Sequence, residues 1–244
     1  MIDVARDQHV AILRLDRPAK RNALTPAMLR ALTGHLATSL SARAIVLSGV
    51  GDVFCAGFDL ALANDDPAEL EALLRALHDA CRALRDMPCP VVASAHGAAI
   101  AGGCALLCAC DFVVTEPTAR LGYPAVRLGV SPAVSAPHLA AAVGPGSARA
   151  RLLDTHLVDG RDALRLALAG ECVDTRAACE PRAIELAHAL AAKPPHALAY
   201  TKRLLNELDL APHLPIDAAL RASLACVGTP EQRALLAAAL APKP

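Results

Sequence analysis

Two short stretches carry backbone groups that could do chemistry together. The first is Val53-Phe54-Cys55-Ala56-Gly57-Phe58-Asp59-Leu60; the second is the glycine-bearing turn Gly97 to Gly103 inside VVASAHGAAIAGGCALLCACDFVV, Val91 to Val114. Each follows a short apolar run, Ala44-Ile45-Val46-Leu47-Ser48 in one case and Val91-Val92-Ala93 in the other, of the kind that forms buried strands. Glycine lets the main chain pass close to a ligand and leaves N–H groups free to point at it. Two such turns, each offering one N–H to one oxygen atom, meet the requirement for an oxyanion hole on a thioester carbonyl. Glycine turns after strands are also ordinary connections. Both readings stand at this point.

The elements that must position these groups follow from the pattern. Pro90 bounds the Val91 run, and the glycine turn leads into an apolar segment of helical length, Cys104 to Cys110. Asp111 then precedes Phe112-Val113-Val114-Thr115, a second β-branched run. Strand, glycine turn, helix, strand is the order that aims a helix N-terminus at a ligand.

Upstream, Ile2 to Asp7 and His9 to Leu15 read as two strands, and Lys20 and Arg21 sit on the loop before Thr25-Pro26, an N-cap with proline at the first helical position. Ala27 to Leu40 is an amphipathic helix. Asn64-Asp65-Asp66-Pro67 caps a long helix to about Arg85, with Leu70, Leu73, Leu74, Leu77, Cys81 and Leu84 on one face.

Downstream, Ala119 to Gly122 reads as a short strand. Helices follow from Ser131-Pro132, interrupted at Gly144-Pro145-Gly146 and ending at Asp154. Asp159 to Leu168 and Thr175 to Ala191 flank the run Glu171-Cys172-Val173. Beyond Pro194-Pro195 everything reads as helix, at Ala197 to Leu208, Pro215 to Cys226 and from Pro230 onward. The class is α/β, with a core over residues 1–193 and a helical region over 194–244.

Composition narrows the function. The 244 residues hold 55% hydrophobic and 20% charged side chains, enough for a large core. Lysine plus arginine and aspartate plus glutamate number 24 each, which gives no electrostatic case for nucleic acid or an anionic membrane. Ile2 to Asp16 alternates apolar and charged residues and does not read as a signal peptide. Nine cysteines in such a chain are expected to be free thiols in a reducing compartment, and the expected location is the cytoplasm. Cys104, Cys108 and Cys110 lack a histidine at ligand spacing, so they are read as packing residues and no metal is expected. Val91 to Cys110 is uncharged over the length of a membrane span. It is built of Ala, Gly, Cys and Ser, however, and only the strand-turn-helix reading explains its glycines.

The motifs also carry a family resemblance. FCAGFDL (Phe54 to Leu60) and HGAAIAGGCALLCACD (His96 to Asp111) resemble the paired signatures of the crotonase superfamily, the enoyl-CoA hydratase/isomerase family. DRPAKRNALT (Asp16 to Thr25), LGYPAVRLGVSPA (Leu121 to Ala133), LVDGRDALRLALAGECVD (Leu157 to Asp174) and HALAYTKRLLNE (His196 to Glu207) are similar to four further segments of that family, in its order. The resemblance runs from about residue 2 to 235. It implies a crotonase-like spiral of ββα turns with a C-terminal helical trimerisation region, and a homo-trimer or a dimer of trimers.

The resemblance also implies a ligand. Coenzyme A, as a thioester substrate or ligand and not as a cofactor, would be gripped by the loop around Ala23 with Lys20, Arg21 and Leu24. Ala56, Gly57, Leu60, Ile100, Pro124 and Leu128 are the further contacts expected. The oxyanion donors would be the N–H groups of Phe58 and Gly102. A side chain does not enter its own N–H, so phenylalanine is expected to serve where relatives carry alanine.

The family's hydratases move protons with two glutamates, and here those positions hold Ala105 and Ala125. Alanine cannot transfer a proton, so standard hydration lacks both of its acid–base groups. Tyr123 and Asp59 are the nearest replacements, although in the family the acid at Asp59 supports the loop. Arg127 pairs either with a substrate carboxylate or with a neighbouring acid. Cys104, Glu116, His78 and His138 read as structural. Three functions stay open. One is an acyl-CoA enzyme with a non-standard or residual hydratase activity, the second a decarboxylase or thioester hydrolase, and the third a non-catalytic acyl-CoA-binding subunit.

Overall fold

A computed structural model describes residues 1–64, 66–210, 220, 221, 224, 225 and 227–241. Most of the expected Pro215 to Cys226 helix lies outside these residues.

The strands form where β-branched and aliphatic residues run together. β1 (Ile2–Asp7) and β2 (Val10–Leu15) make an antiparallel pair, and β3 (Ala44–Gly49), β4 (Val91–Ala95), β6 (Phe112–Thr115) and β8 (Glu171–Cys172) continue the sheet in parallel. The order is β1-β2-β3-β4-β6-β8. Side chains alternate across this sheet with the period of a strand. Leu13, Leu15, Ile45, Leu47, Val91 and Ala93 face the main core. Val10, Ile12, Ala44, Val46, Val92 and Val114 face the opposite side, where Ala183, Ala187 and Leu190 cover them. Each fully buried leucine or isoleucine contributes roughly 1.5–3 kcal/mol.

The helices carry their own signals. In α1 (Pro26–Thr38), Thr25 Oγ1 accepts the Met28 N–H at 3.1 Å. A short α2 (Leu60–Asn64), not expected from the sequence, precedes α3 (Pro67–Asp86), which Asp66 caps through the Ala68 N–H at 2.8 Å. The six apolar residues predicted for the inner face of α3 are all buried. α4 is Gly102–Cys108, α5 Ala136–Leu153, α6 Gly160–Arg165, α7 Arg176–Ala191, α8 Pro195–Leu210 and α9 Pro230–Leu240. The predicted break at Gly144 is a kink inside α5, where Gly144 takes φ 78° and ψ 157°. No described helix is long and apolar enough to cross a membrane.

The glycine stretch departs from expectation. Between Gly97 and Gly103 lies a strand, β5 (Ala98–Ile100), paired in parallel with β7 (Arg120–Gly122). Isolated bridges extend this second layer, Leu24 to Phe58 and Cys55 to Ala99 on one side and Leu121 to Val158 on the other. β2, β3, β4 and β6 are each thus followed by a residue or strand of the small layer and then by a helix. That repeat is the ββα spiral implied by the resemblance.

Candidate active site

The small layer stacks the segments that leave β2, β3, β4 and β6 side by side. On the first, a 3-10 turn (Pro18–Lys20) leads to Arg21 and Asn22, both with positive φ, 51° and 55°. Asn22 tolerates that conformation, and its fully buried amide knots two loops together. Its Oδ1 accepts the Arg17 N–H at 2.9 Å, and its Nδ2 donates to the carbonyls of Val50 and Val53, each at 2.9 Å. Sequence reasoning passed over Asn22. The signal was the polar residue between a 3-10 turn and a helix cap.

The next segment is hydrogen-bonded to the first. Ala56 N–H donates to Arg21 O at 3.0 Å, Leu24 N–H to Gly57 O at 2.7 Å and Asp59 N–H to Leu24 O at 2.9 Å. Gly57 has φ 98°, and a Cβ there would stand 3.2 Å from Ile100 O, so the turn requires glycine. The third segment brings Ala101 with φ 47° and ψ −106°, a strained conformation for alanine. The Ala101 N–H is pinned to Gly122 O at 2.8 Å, and the adjoining peptide presents Gly102. Gly103 packs so tightly that a Cβ would lie 2.7 Å from Cys55 Cβ. Among the described residues, neither the Phe58 nor the Gly102 N–H has a hydrogen-bond acceptor.

Phe58 and Gly102 line one cavity of about 20 Å³ with Ala101, Tyr123, Ala125 and Ser135. No carboxylate or histidine stands among its described walls. Ala125 lies on the wall, whereas Ala105 is fully buried one turn into α4, its N–H bonded to Ala101 O at 2.9 Å. The Phe58 side chain, for which the sequence suggested no role, also lies at the site. A Cβ on Gly102 would meet Phe58 Cε1 at 2.8 Å, so the ring lies directly against that glycine.

The remaining predicted residues divide. Leu24 is fully buried, with its Cδ1 3.0 Å from a Gly102 Cβ position, and Ile100 ends β5 opposite Gly122. Lys20 and Arg21 are exposed and precede Ala23, whose carbonyl accepts from Arg17 Nη1 at 3.1 Å. Leu60 starts α2, and Pro124 and Leu128 bound a 3-10 segment after Tyr123; none of these three lines the cavity. Asp59 is held in an ion pair by Arg17 at 2.7 Å.

Tyr123 is buried, with its hydroxyl 3.3 Å from Cys108 Sγ. Burial, then the Cys104 and Cys108 thiols, hold its phenol well above the usual range, so it is a neutral group turned toward the core. The Cys108 thiol and burial likewise hold Cys104 well above a normal thiol, which fits packing rather than attack. Glu116 accepts from Gly97 N–H and from the Thr118 amide and hydroxyl, a structural knot. Arg127 Nε donates to the Thr155 hydroxyl.

A larger cavity, about 460 Å³, lies under α8 and away from both amides. Its charged groups are already paired, Lys202 with Asp111 at 2.7 Å and Arg85 with Asp209 at 2.5 Å. It reads as a seam between α8 and the core, not as the reaction site.

Comparison with known proteins bears on the whole chain. Residues 5–224 match the family model described as enoyl-CoA hydratase/isomerase. A Thermus thermophilus protein, provisionally named an enoyl-CoA hydratase, is 36% identical over 211 residues, 82% of this chain and 81% of the relative. The 2,3-dehydroadipyl-CoA hydratase of Escherichia coli is 32% identical over 235 residues, covering 91% of this chain and 85% of its own. A crystal structure of an enoyl-CoA hydratase/isomerase from Mycobacterium paratuberculosis superposes with a TM-score of 0.86 at 26% identity, covering 97% of each chain.

Proposed function

The chain belongs to the enoyl-CoA hydratase/isomerase family, and from that membership we propose that it binds an acyl-CoA thioester and polarises its carbonyl without glutamate-driven hydration. The carbonyl oxygen sits between the Phe58 and Gly102 N–H groups, and negative charge that develops on it is stabilised there. One such donor is typically worth about 2.7–4 kcal/mol. The adenine and phosphate end of CoA lies along the Ala23 loop, within reach of Lys20 and Arg21.

The observation that carries this reading is a pair of amides without acceptors on a cavity whose described walls hold no carboxylate. Thioester polarisation needs the amides. Adding water across a double bond also needs a proton donor and acceptor, and Ala105 and Ala125 supply neither. Reactions whose bond breaking itself generates the enolate, such as decarboxylation, need no such pair, and this favours them as the second reading. The assembly we propose is a homo-trimer or a dimer of trimers. Its support is a stripe on α8, Tyr200, Leu204 and Leu208, at 64%, 55% and 60% exposure, spaced to fall on one helical face.

Titration of acetyl-CoA into the wild type and Gly102→Val tests the placement. The new side chain would press on the Phe58 ring and on Leu24 Cδ1, ends that can shift, so the fold is retained while the hole closes. Affinity for acetyl-CoA is expected to fall at least about tenfold, in proportion to one lost charge-polarised hydrogen bond. Equal affinity in a folded variant would remove Gly102 from the site.

A further inference from the structure

Phe58 contributes twice to this region, its backbone to the amide pair and its ring to the cavity wall. The ring edge rests on Gly102, with Cε1 and Cδ1 at 2.8 and 3.2 Å from the position a Cβ would take there. What it leaves open is about 20 Å³, room for roughly one water molecule. The opposite walls are fixed. Leu74, Leu77, Tyr123, Val130 and Val134 are 3%, 2%, 1%, 6% and 1% exposed and belong to the main core. Phe58 is half-buried, and it is the large wall side chain that the core does not enclose.

We infer that Phe58 sets the length of the acyl group: with its ring against Gly102, the site accepts thioesters of the smallest acyl groups, acetyl and propionyl, and turns away long chains. The inference rests on the acyl-CoA reading above. A thioester whose oxygen reaches both amides must pass its acyl carbons through the space beside Gly102, and the ring holds that space. Truncating the ring opens it, because well-packed walls relax only partly into a new void. Apolar pockets discriminate by about 10–200-fold for a single methylene, so several methylenes meeting a full cavity give a large preference.

The test is calorimetric titration of CoA, acetyl-CoA and octanoyl-CoA into the wild type, Phe58→Ala and Phe58→Leu. The wild type is expected to bind acetyl-CoA at least about tenfold more tightly than octanoyl-CoA. Phe58→Ala is expected to shift that ratio toward octanoyl-CoA by at least about tenfold, with Phe58→Leu between the two. If the alanine variant does not fold, the leucine variant still reads the shift. CoA binding with no preference between the thioesters in the wild type, or a preference unchanged in the folded variants, overturns the length assignment alone. Failure of CoA and both thioesters to bind the wild type overturns the acyl-CoA reading, and this inference with it.

Discussion

Arg17 Nη1 stands 2.7 Å from Asp59 Oδ2 and 3.1 Å from the Ala23 carbonyl. One guanidinium therefore joins the acid beside the oxyanion turn to the loop proposed to hold CoA. With side-chain exposures of 29% and 12%, the pair is partly screened, and a charged hydrogen bond of this kind contributes on the order of 1 kcal/mol. Asp59 is thus committed to holding two loops in register, which is a supporting role and not a proton-transfer one. Asp59→Asn is expected to lower the urea midpoint by that equivalent and to weaken CoA binding several-fold. A variant with unchanged midpoint and affinity would show that the ion pair does neither.

The α8 stripe makes the assembly measurable. Light scattering is expected to give a trimer or a hexamer at micromolar concentration, and Leu204→Glu, which puts a charge in the middle of the stripe, is expected to shift the protein toward monomer. A wild type that scatters as a monomer would refute the assembly.

Acid should destabilise the fold through His138. Its ring is fully buried, and neither nitrogen has a hydrogen-bond partner among the described residues. Burial, then the charges of Arg85 and His78, press its pKa down to about 3 from an ordinary 6.5. Between those values the unfolded chain takes up a proton that the folded chain refuses. Stability is therefore intact above about pH 6.5 and falls as pH drops toward 3, with a slope of up to about 1.4 kcal/mol per pH unit. Urea unfolding at stepped pH should show this limb in the wild type and a shallower one in His138→Leu. Identical limbs would assign the acid sensitivity elsewhere.

Much of the fold was legible because local chemistry and tertiary structure agree. The β-branched runs became the large sheet, and Thr25 and Asp66 cap the helices they were expected to start. β5 was not legible. Ala98-Ala99-Ile100 has no alternation, and its strand conformation comes from pairing with Arg120–Gly122, far along the chain. The two amide-bearing turns were legible from their glycines. The Asn22 knot and the Phe58 ring were not, since each depends on which loops the spiral stacks together. Phe58 shows the limit most clearly. The role proposed for its backbone followed from position in a motif, whereas its side chain packs on Gly102, which only the folded chain brings beside it.

The central claim is that this site polarises a thioester but does not hydrate one, and the most direct measurement is the turnover of acryloyl-CoA, whose three-carbon acyl group is no longer than propionyl, by the wild-type protein. Each general acid or base typically contributes about 10²–10⁴-fold, and both positions here are alanine. The account predicts formation of 3-hydroxypropionyl-CoA at least about 10²-fold slower than the roughly 10 per second typical of enzymes. Hydration at about 10–10³ per second would contradict it, and would mean that a group other than residues 105 and 125 supplies the proton.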